Sequence, residues 1–382
     1  MDIRVLFIYI NILLLTLVLT SFSSLFGMPP ASFAPYTVLS CLSLLVFLKE
    51  IIKSHFFPFI AIYAIVLVYN CLVVKEPHYS TISLFIIPLL LCLIEYELNS
   101  DNRKILLCFF VFVFLANAIV AYIERIIGFW IVPIDPNNYV LQGQMLEDKM
   151  DITSFRAFAF FGHPLTNGNV MAYMSFIILF TEYFSFKKRV VLFLIGISSL
   201  FCFNSRGALL VSGALLFPTL IILLKNVGKN HRLKFLSFLI VIAIIVIINF
   251  DSFGGRLVTG DLNDRNTEVR LAAIREFLSY SLDSLLIGGI SMKNGENGYL
   301  MTLAYYGLVA GTIKIALEIY FSYKMINVKS KWVRFIIMSA LIIVGSTNNN
   351  LYYSVVFPWY ILFVTFVINN SKSLETLNKK NT

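Results

Sequence analysis

Twelve stretches of this chain are apolar for about the 20 residues a helix needs to cross a bilayer, and they leave little else to build with. They begin near Val5, Phe33, Phe56, Tyr79, Lys104, Gly168, Val190, Gly207, Lys234, Tyr299, Arg334 and Ser354. Charged residues are 13% of the 382, hydrophobic residues 59%, and mean hydropathy is +0.84. Soluble domains carry roughly a quarter charged residues, so a water-soluble enzyme and a disordered chain are both excluded. The expected fold class is an all-α polytopic membrane protein of about 12 transmembrane helices, a single integral membrane domain over residues 1–382. The first run is longer than the usual signal-peptide core and is expected to stay as an anchor.

The net charge of +9 does not point to nucleic acid, because the basic residues fall in short clusters between apolar runs. With the N-terminus in the cytoplasm, the inner loops and tail hold 19 of the 30 Lys and Arg residues, from Arg4, Lys49 and Lys53 to Lys379 and Lys380. An even number of spans puts both termini inside. Residues 346–353 (STNNNLYY) are polar enough for an outer turn, and a single broken helix there is the alternative. Cys41, Cys71, Cys92, Cys108 and Cys202 all lie in apolar runs with no CxxC spacing. They read as small core hydrophobes without a disulfide or metal framework.

Two long loops face outward, at about residues 129–167 and 251–298; loops of this length are usually functional or disordered. The second contains NTEVRLAAIREFLSYSLDS, a predicted helix with Asn266 or Thr267 as cap and an apolar stripe of Leu271, Ile274, Phe277 and Leu278.

The outer side also holds Arg156, Arg206, Arg256, Arg265, Arg270 and Arg275, where the positive-inside rule disfavours them. Arg206 sits in a short turn (CFNSRGALLV) between two spans; it reads as a functional charge, with a snorkelling Arg as the alternative. Arg156 precedes FFGHPLTNGN, where His163 and Pro164 introduce a helix that Asn167 or Asn169 is placed to cap. Free N–H groups at such a helix start, near an Arg, suit an anion. Arg270 and Arg275 lie roughly 140° apart around the loop helix, so one small ligand does not take both. Arg270 is the favoured one. Glu296, beside Asn297 and Tyr299 at the entrance to the tenth run, reads either as a proton acceptor or as an acid complementing the helix dipole. Lys314 with Glu318, and Glu124 with Arg125, read as structural. A basic outer face suits a membrane-bound diphosphate, since guanidinium grips phosphate oxygens in pairs. No Walker, HExxH, GxSxG, DxD or Rossmann signature is present.

Three stretches together resemble the bacterial O-antigen polymerase and ligase superfamily. FRAFAFFGHPLTNGN is similar to that family's Arg-then-Phe-His-Pro segment, and NSRGALL to its Ser-Arg-Gly segment. VRLAAIREF, IGG, ENGYL and YYGLVAG resemble its loop helix, glycine turn and following span. The likeness covers about residues 156–311. It implies a GT-C-like membrane glycosyltransferase at the outer face of the inner membrane, inverting and needing no metal or other cofactor. Its substrates would be undecaprenyl-diphosphate-linked glycans, with a chain-length regulator as a further partner. By resemblance, Arg206 and Arg270 hold the diphosphate, Arg156 supports it or orients the acceptor, and Glu296, or alternatively His163, accepts the acceptor's proton. Arg275, Asn297 and Tyr299 complete the candidate substrate-binding set. Ligases have His where Glu296 stands, so polymerase is favoured over ligase; a lipid-linked oligosaccharide flippase is the rival from another class.

Overall fold

The structure, a computed structural model, describes residues 3–19, 47–54, 56–73, 100–131, 155–161, 164–181, 183–226, 265–293, 297–326 and 330–346. The expected runs near Phe33, Tyr79, Lys234 and Ser354 lie outside these residues. Among the described residues every regular element is an α-helix. They are α1 (Ile3–Leu19), α2 (Leu48–Lys53), α3 (Phe57–Val73), α4 (Ser100–Ile127), α5 (Pro164–Phe180) and α6 (Phe186–Phe203). Then follow α7 (Arg206–Asn226), α8 (Arg265–Ser279), α9 (Leu282–Ile287), α10 (Gly298–Tyr306), α11 (Leu308–Met325) and α12 (Lys331–Ser346). Within α4, Asp101–Ile127 spans 27 residues at a mean hydropathy of 2.6, long and apolar enough to cross a membrane. Helices α3 and Gly207–Ile222 of α7 are apolar but shorter. Of the cysteines, Cys202 is buried, whereas Cys71 and Cys108 are exposed on their helices and are not core residues; all three are free thiols.

The chain divides into two compact units, the division falling inside α4. The first holds residues 1–112, 264–327 and 345–382. In it, α3 packs along α11 through Phe59 on Tyr320 (4.5 Å between ring centroids), and Phe56, just before α3, packs on Phe321 (5.8 Å). Toward the other end of α3, the Tyr69 hydroxyl donates to the Ile287 carbonyl (2.8 Å) and Asn70 Nδ2 to the Tyr305 carbonyl (3.2 Å). The run expected near Tyr299 is two helices, broken at Gly307 with φ +85° and ψ 156°. The Lys314–Glu318 pair forms as expected, with Lys314 only 1% exposed and its ammonium 5.4 Å from the Tyr306 ring centroid. A charge so buried needs such a partner.

Helix α8 corrects two expectations. It is helical from Arg265 onward, so Asn266 and Thr267 lie within the helix and not at the position before it. Of the expected stripe only Phe277 packs inward, with Ala273 and Tyr280, onto Met292, Met301 and Ala304; Leu271, Ile274 and Leu278 are exposed. The helix is apolar on two sides, and the small residue Ala273 marks the side that approaches α10. The loop helix also ends earlier than its sequence suggests. A second start follows at α9, where Ser281 Oγ accepts from Ser284 N (3.3 Å).

The second unit holds residues 113–263 and 328–344. Its centre is α5, buried at every position except Leu165. Helices α6 and α7 pack against it. Pro164 takes the first helical position, where a missing N–H costs nothing. Asn167 and Asn169 therefore lie within α5, not at its cap. Likewise α7 begins on Arg206 itself, and the turn before it shrinks to Asn204 and Ser205, with Asn204 left-handed (φ 47°, ψ 41°). Asn tolerates that conformation better than other residues with a Cβ.

Candidate functional site

In the second unit, the structure gathers the Arg156 segment and the Arg206 turn at one place. Residues 155–161 (FRAFAFF) are not helical, and all but half-buried Arg156 are buried. Buried backbone without a helix needs other partners, and the helices around it supply them. Glu124, fully buried in the last turn of α4, accepts from Phe158 N (2.6 Å) and Ala159 N (3.0 Å) with one oxygen and from Ile131 N (3.0 Å) with the other. Asn117, two turns earlier, accepts from Phe160 N (2.9 Å). Asn167 accepts from Phe161 N (3.2 Å) and donates to the Phe158 carbonyl. Arg125 donates to the Phe155 carbonyl, and Trp130 Nε1 to the Arg156 carbonyl (2.9 Å). Trp130 also stacks on Phe155. This grip fixes Ala159 at φ 41°, a strained value for a residue with a Cβ.

Glu124 and Arg125, expected to be structural, are so in a more specific way: each holds the segment that carries Arg156. The signal for it in the sequence is a carboxylate ending a long apolar helix.

The segment is also tied to the Arg206 turn. Ala157 N donates to the Cys202 carbonyl (2.9 Å). Gly168, in the second turn of α5, approaches so closely that a Cβ there would meet Ser205 Cβ at 2.7 Å and Ala208 Cβ at 3.3 Å. The start of α7 thus lies against the second turn of α5. His163 lies outside the described residues.

In the first unit, the remaining stretches come together around α10. Asn297 caps α10, its Oδ1 accepting from Tyr299 N (3.1 Å) and Leu300 N (3.2 Å). This candidate binding residue is thus engaged in capping, while Tyr299 is half-buried. Glu296 lies outside the described residues. Arg270 and Arg275 are both on α8, and Arg275 is exposed. Glu276 ties the loop down, accepting from the Tyr280 hydroxyl (2.7 Å) and Lys293 N (2.8 Å). Burial, and then the Glu276 carboxylate, push the Tyr280 hydroxyl up to about 12, so it remains a donor at neutral pH. The glycine turn pairs with α10, Gly289 N donating to the Tyr305 carbonyl (2.8 Å) and Ile290 N to the Ala304 carbonyl (3.2 Å).

No protein-family model, curated protein or solved structure matches this chain.

Glu124→Ala is expected to destabilise the second unit by about 2–4 kcal/mol, because it leaves at least two buried N–H groups without an acceptor. Glu124→Gln keeps one oxygen and is expected to recover part of that loss. Denaturant unfolding in detergent, followed by tryptophan fluorescence, measures both; an unchanged midpoint in Glu124→Ala would refute the clamp.

Proposed function

We propose that the protein is a multi-pass glycosyltransferase of the O-antigen polymerase type, GT-C-like in architecture, in the bacterial inner membrane. Both termini face the cytoplasm and the site faces outward. It joins undecaprenyl-diphosphate-linked repeat units into O-antigen or capsule chains. The observation that carries the reading is spatial pairing of stretches far apart in sequence. FRAFAFF and the second turn of α5 meet the Ser-Arg-Gly turn, the latter at Gly168 and Ser205. The loop helix and the glycine turn meet α10. The same stretches, in the same order, carry the resemblance to the polymerase and ligase superfamily.

In the proposed reaction, the hydroxyl oxygen of a new lipid-linked unit attacks the anomeric carbon of the growing chain. The bond from that carbon to the diphosphate oxygen breaks, with inversion. The hydroxyl proton passes to Glu296, or to His163 in the alternative assignment. Undecaprenyl diphosphate leaves with the electron pair, its charge met by Arg206 and Arg270 and supported by Arg156. Arg275, Asn297 and Tyr299 border the substrate, and no metal or other cofactor takes part. A chain-length regulator is the expected protein partner.

The buried Lys314–Glu318 pair favours a second reading, a lipid-linked oligosaccharide flippase, because transporters place charges within their spans. One assay separates the two. Purified protein in liposomes receives lipid-diphosphate repeat units from its own gene cluster, and the products are resolved on a gel. A ladder of lengths is the expected result. Repeat units moved across the bilayer without elongation would overturn the enzyme and leave the flippase. With a lipid A core added as acceptor, transfer to it without elongation would instead point to a ligase.

A further inference from the structure

Asn204 is 2% exposed, and neither its Nδ2 nor its Oδ1 has a hydrogen-bond partner among the described residues. Because both ends are unpaired, exchanging the amide's oxygen and nitrogen changes nothing. Asn169 is 3% exposed, and its Nδ2 is in the same condition. The two residues flank one contact: Asn204 precedes Ser205 and Asn169 follows Gly168, the pair that brings the start of α7 against the second turn of α5. Buried polar groups are nearly always paired, and an unpaired one costs about 1–3 kcal/mol. The backbone does not account for Asn204 either, since glycine takes a left-handed position at lower cost and leaves no amide behind.

We propose that Asn204, with Asn169 on the other side of the Gly168–Ser205 contact, forms a subsite for a sugar ring of the lipid-linked glycan. The inference rests on the glycosyltransferase reading and says which part of the substrate lies here. The chemistry of the groups decides it. A diphosphate offers acceptors and negative charge only, and Asn204 Oδ1 repels both. A sugar hydroxyl or acetamido group gives a donor and an acceptor together, which is what the unpaired amide lacks. The diphosphate therefore belongs to the arginines and the sugar ring to the asparagines. Both amides are sealed from solvent in the state described, so binding of the ring requires the packing around them to open.

The test combines stability with binding on the full-length protein in nanodiscs. Asn204→Gly removes the unpaired amide and relieves the backbone, so its melting temperature is expected to rise by about 2–4 °C. Its affinity for the cluster's own lipid-diphosphate repeat unit is expected to fall about tenfold, the value of one lost hydrogen bond. Affinity for undecaprenyl diphosphate, which has no sugar, is expected to stay within about twofold. Asn169→Ala, in a helix that accepts alanine, is expected to show the same selectivity and serves if Asn204→Gly fails to fold. Equal affinity of wild type and both variants for the repeat unit would overturn the subsite, and so would equal weakening for both ligands. A wild type that elongates chains while the variants bind normally would overturn the subsite alone. A wild type that binds undecaprenyl diphosphate but gains nothing from the glycan would overturn the subsite and the polymerase together.

Discussion

Replacing Arg206 by alanine is expected to slow chain elongation about a hundredfold or more, the cost of removing one group that stabilises leaving-group charge. The position argues for this. Arg206 is the first residue of α7, at the positive end of the helix dipole, where a cation is unfavourable by about 0.3–1 kcal/mol. In the proposed topology it also lies outside, where Arg is disfavoured. The helix dipole and the proposed topology both disfavour a cation at this position, whereas a helix start favours an anion. Two further results follow. Arg206→Ala is expected to melt at or slightly above the wild-type temperature, since it removes an unfavourable charge, so loss of the ladder is not loss of the fold. Arg206→Lys keeps the charge without the two-pronged grip and is expected to fall between wild type and alanine. Initial rates at matched amounts of reconstituted protein measure all three. Full activity in Arg206→Lys would show that the fork is not used.

How much of this was visible in the sequence depends on what each residue competes with. Helices beginning near Phe56, Lys104, Val190 and Arg334 were legible because apolar runs of that length are too long for a strand and suit a helix. Their starts were less so. At α5 the asparagines looked like caps, but Pro164 already offers a good first position, and Asn167 is instead drawn to the backbone of residues 158 and 161. On α8, Leu271 and Ile274 looked like core because they are apolar, yet the close approach to α10 takes place at Ala273. Apolar content alone cannot say which of two apolar sides faces inward. Glu124 was seen and its partners were not: its ligands are backbone N–H groups, which no side-chain pattern announces. The Arg156 and Arg206 stretches were marked by chemistry, but their meeting at Gly168 and Ser205 depends on a contact across about 37 positions, and glycine's role there is only visible in three dimensions.

The break at Gly307 was the least legible feature, and it supports the largest expected effect on folding. A lone glycine in an apolar run is ordinarily absorbed into a helix at modest cost. Here it sits at φ +85° and ψ 156°, and Gly288 opposite at φ 89° and ψ −158°, a region open essentially to glycine alone. The two backbones cross in contact. A Cβ on Gly307 would lie 2.5 Å from the Leu286 carbonyl oxygen, and one on Gly288 would lie 2.4 Å from Gly307 N. Neither obstacle is a side chain that can turn away. Backbone strain of about 1–3 kcal/mol is therefore joined by a clash that only separation of α9 from α10 relieves. That separation would also strain the nearby bonds from Gly289 N to the Tyr305 carbonyl and from Tyr69 to the Ile287 carbonyl. Gly307→Ala and Gly288→Ala are each expected to abolish the monodisperse, folded protein recovered in detergent, or to lower its melting temperature by about 10 °C or more in a unit of this size. Gly213→Ala is the control: a Cβ there meets nothing within 4 Å inside α7, so the change is expected to be neutral or to stabilise by about 0.5–1 kcal/mol. If Gly307→Ala melted with Gly213→Ala, the crossing of the glycine turn and α10 would not hold the first unit together, and the pairing of those stretches would lose its weight in the functional argument.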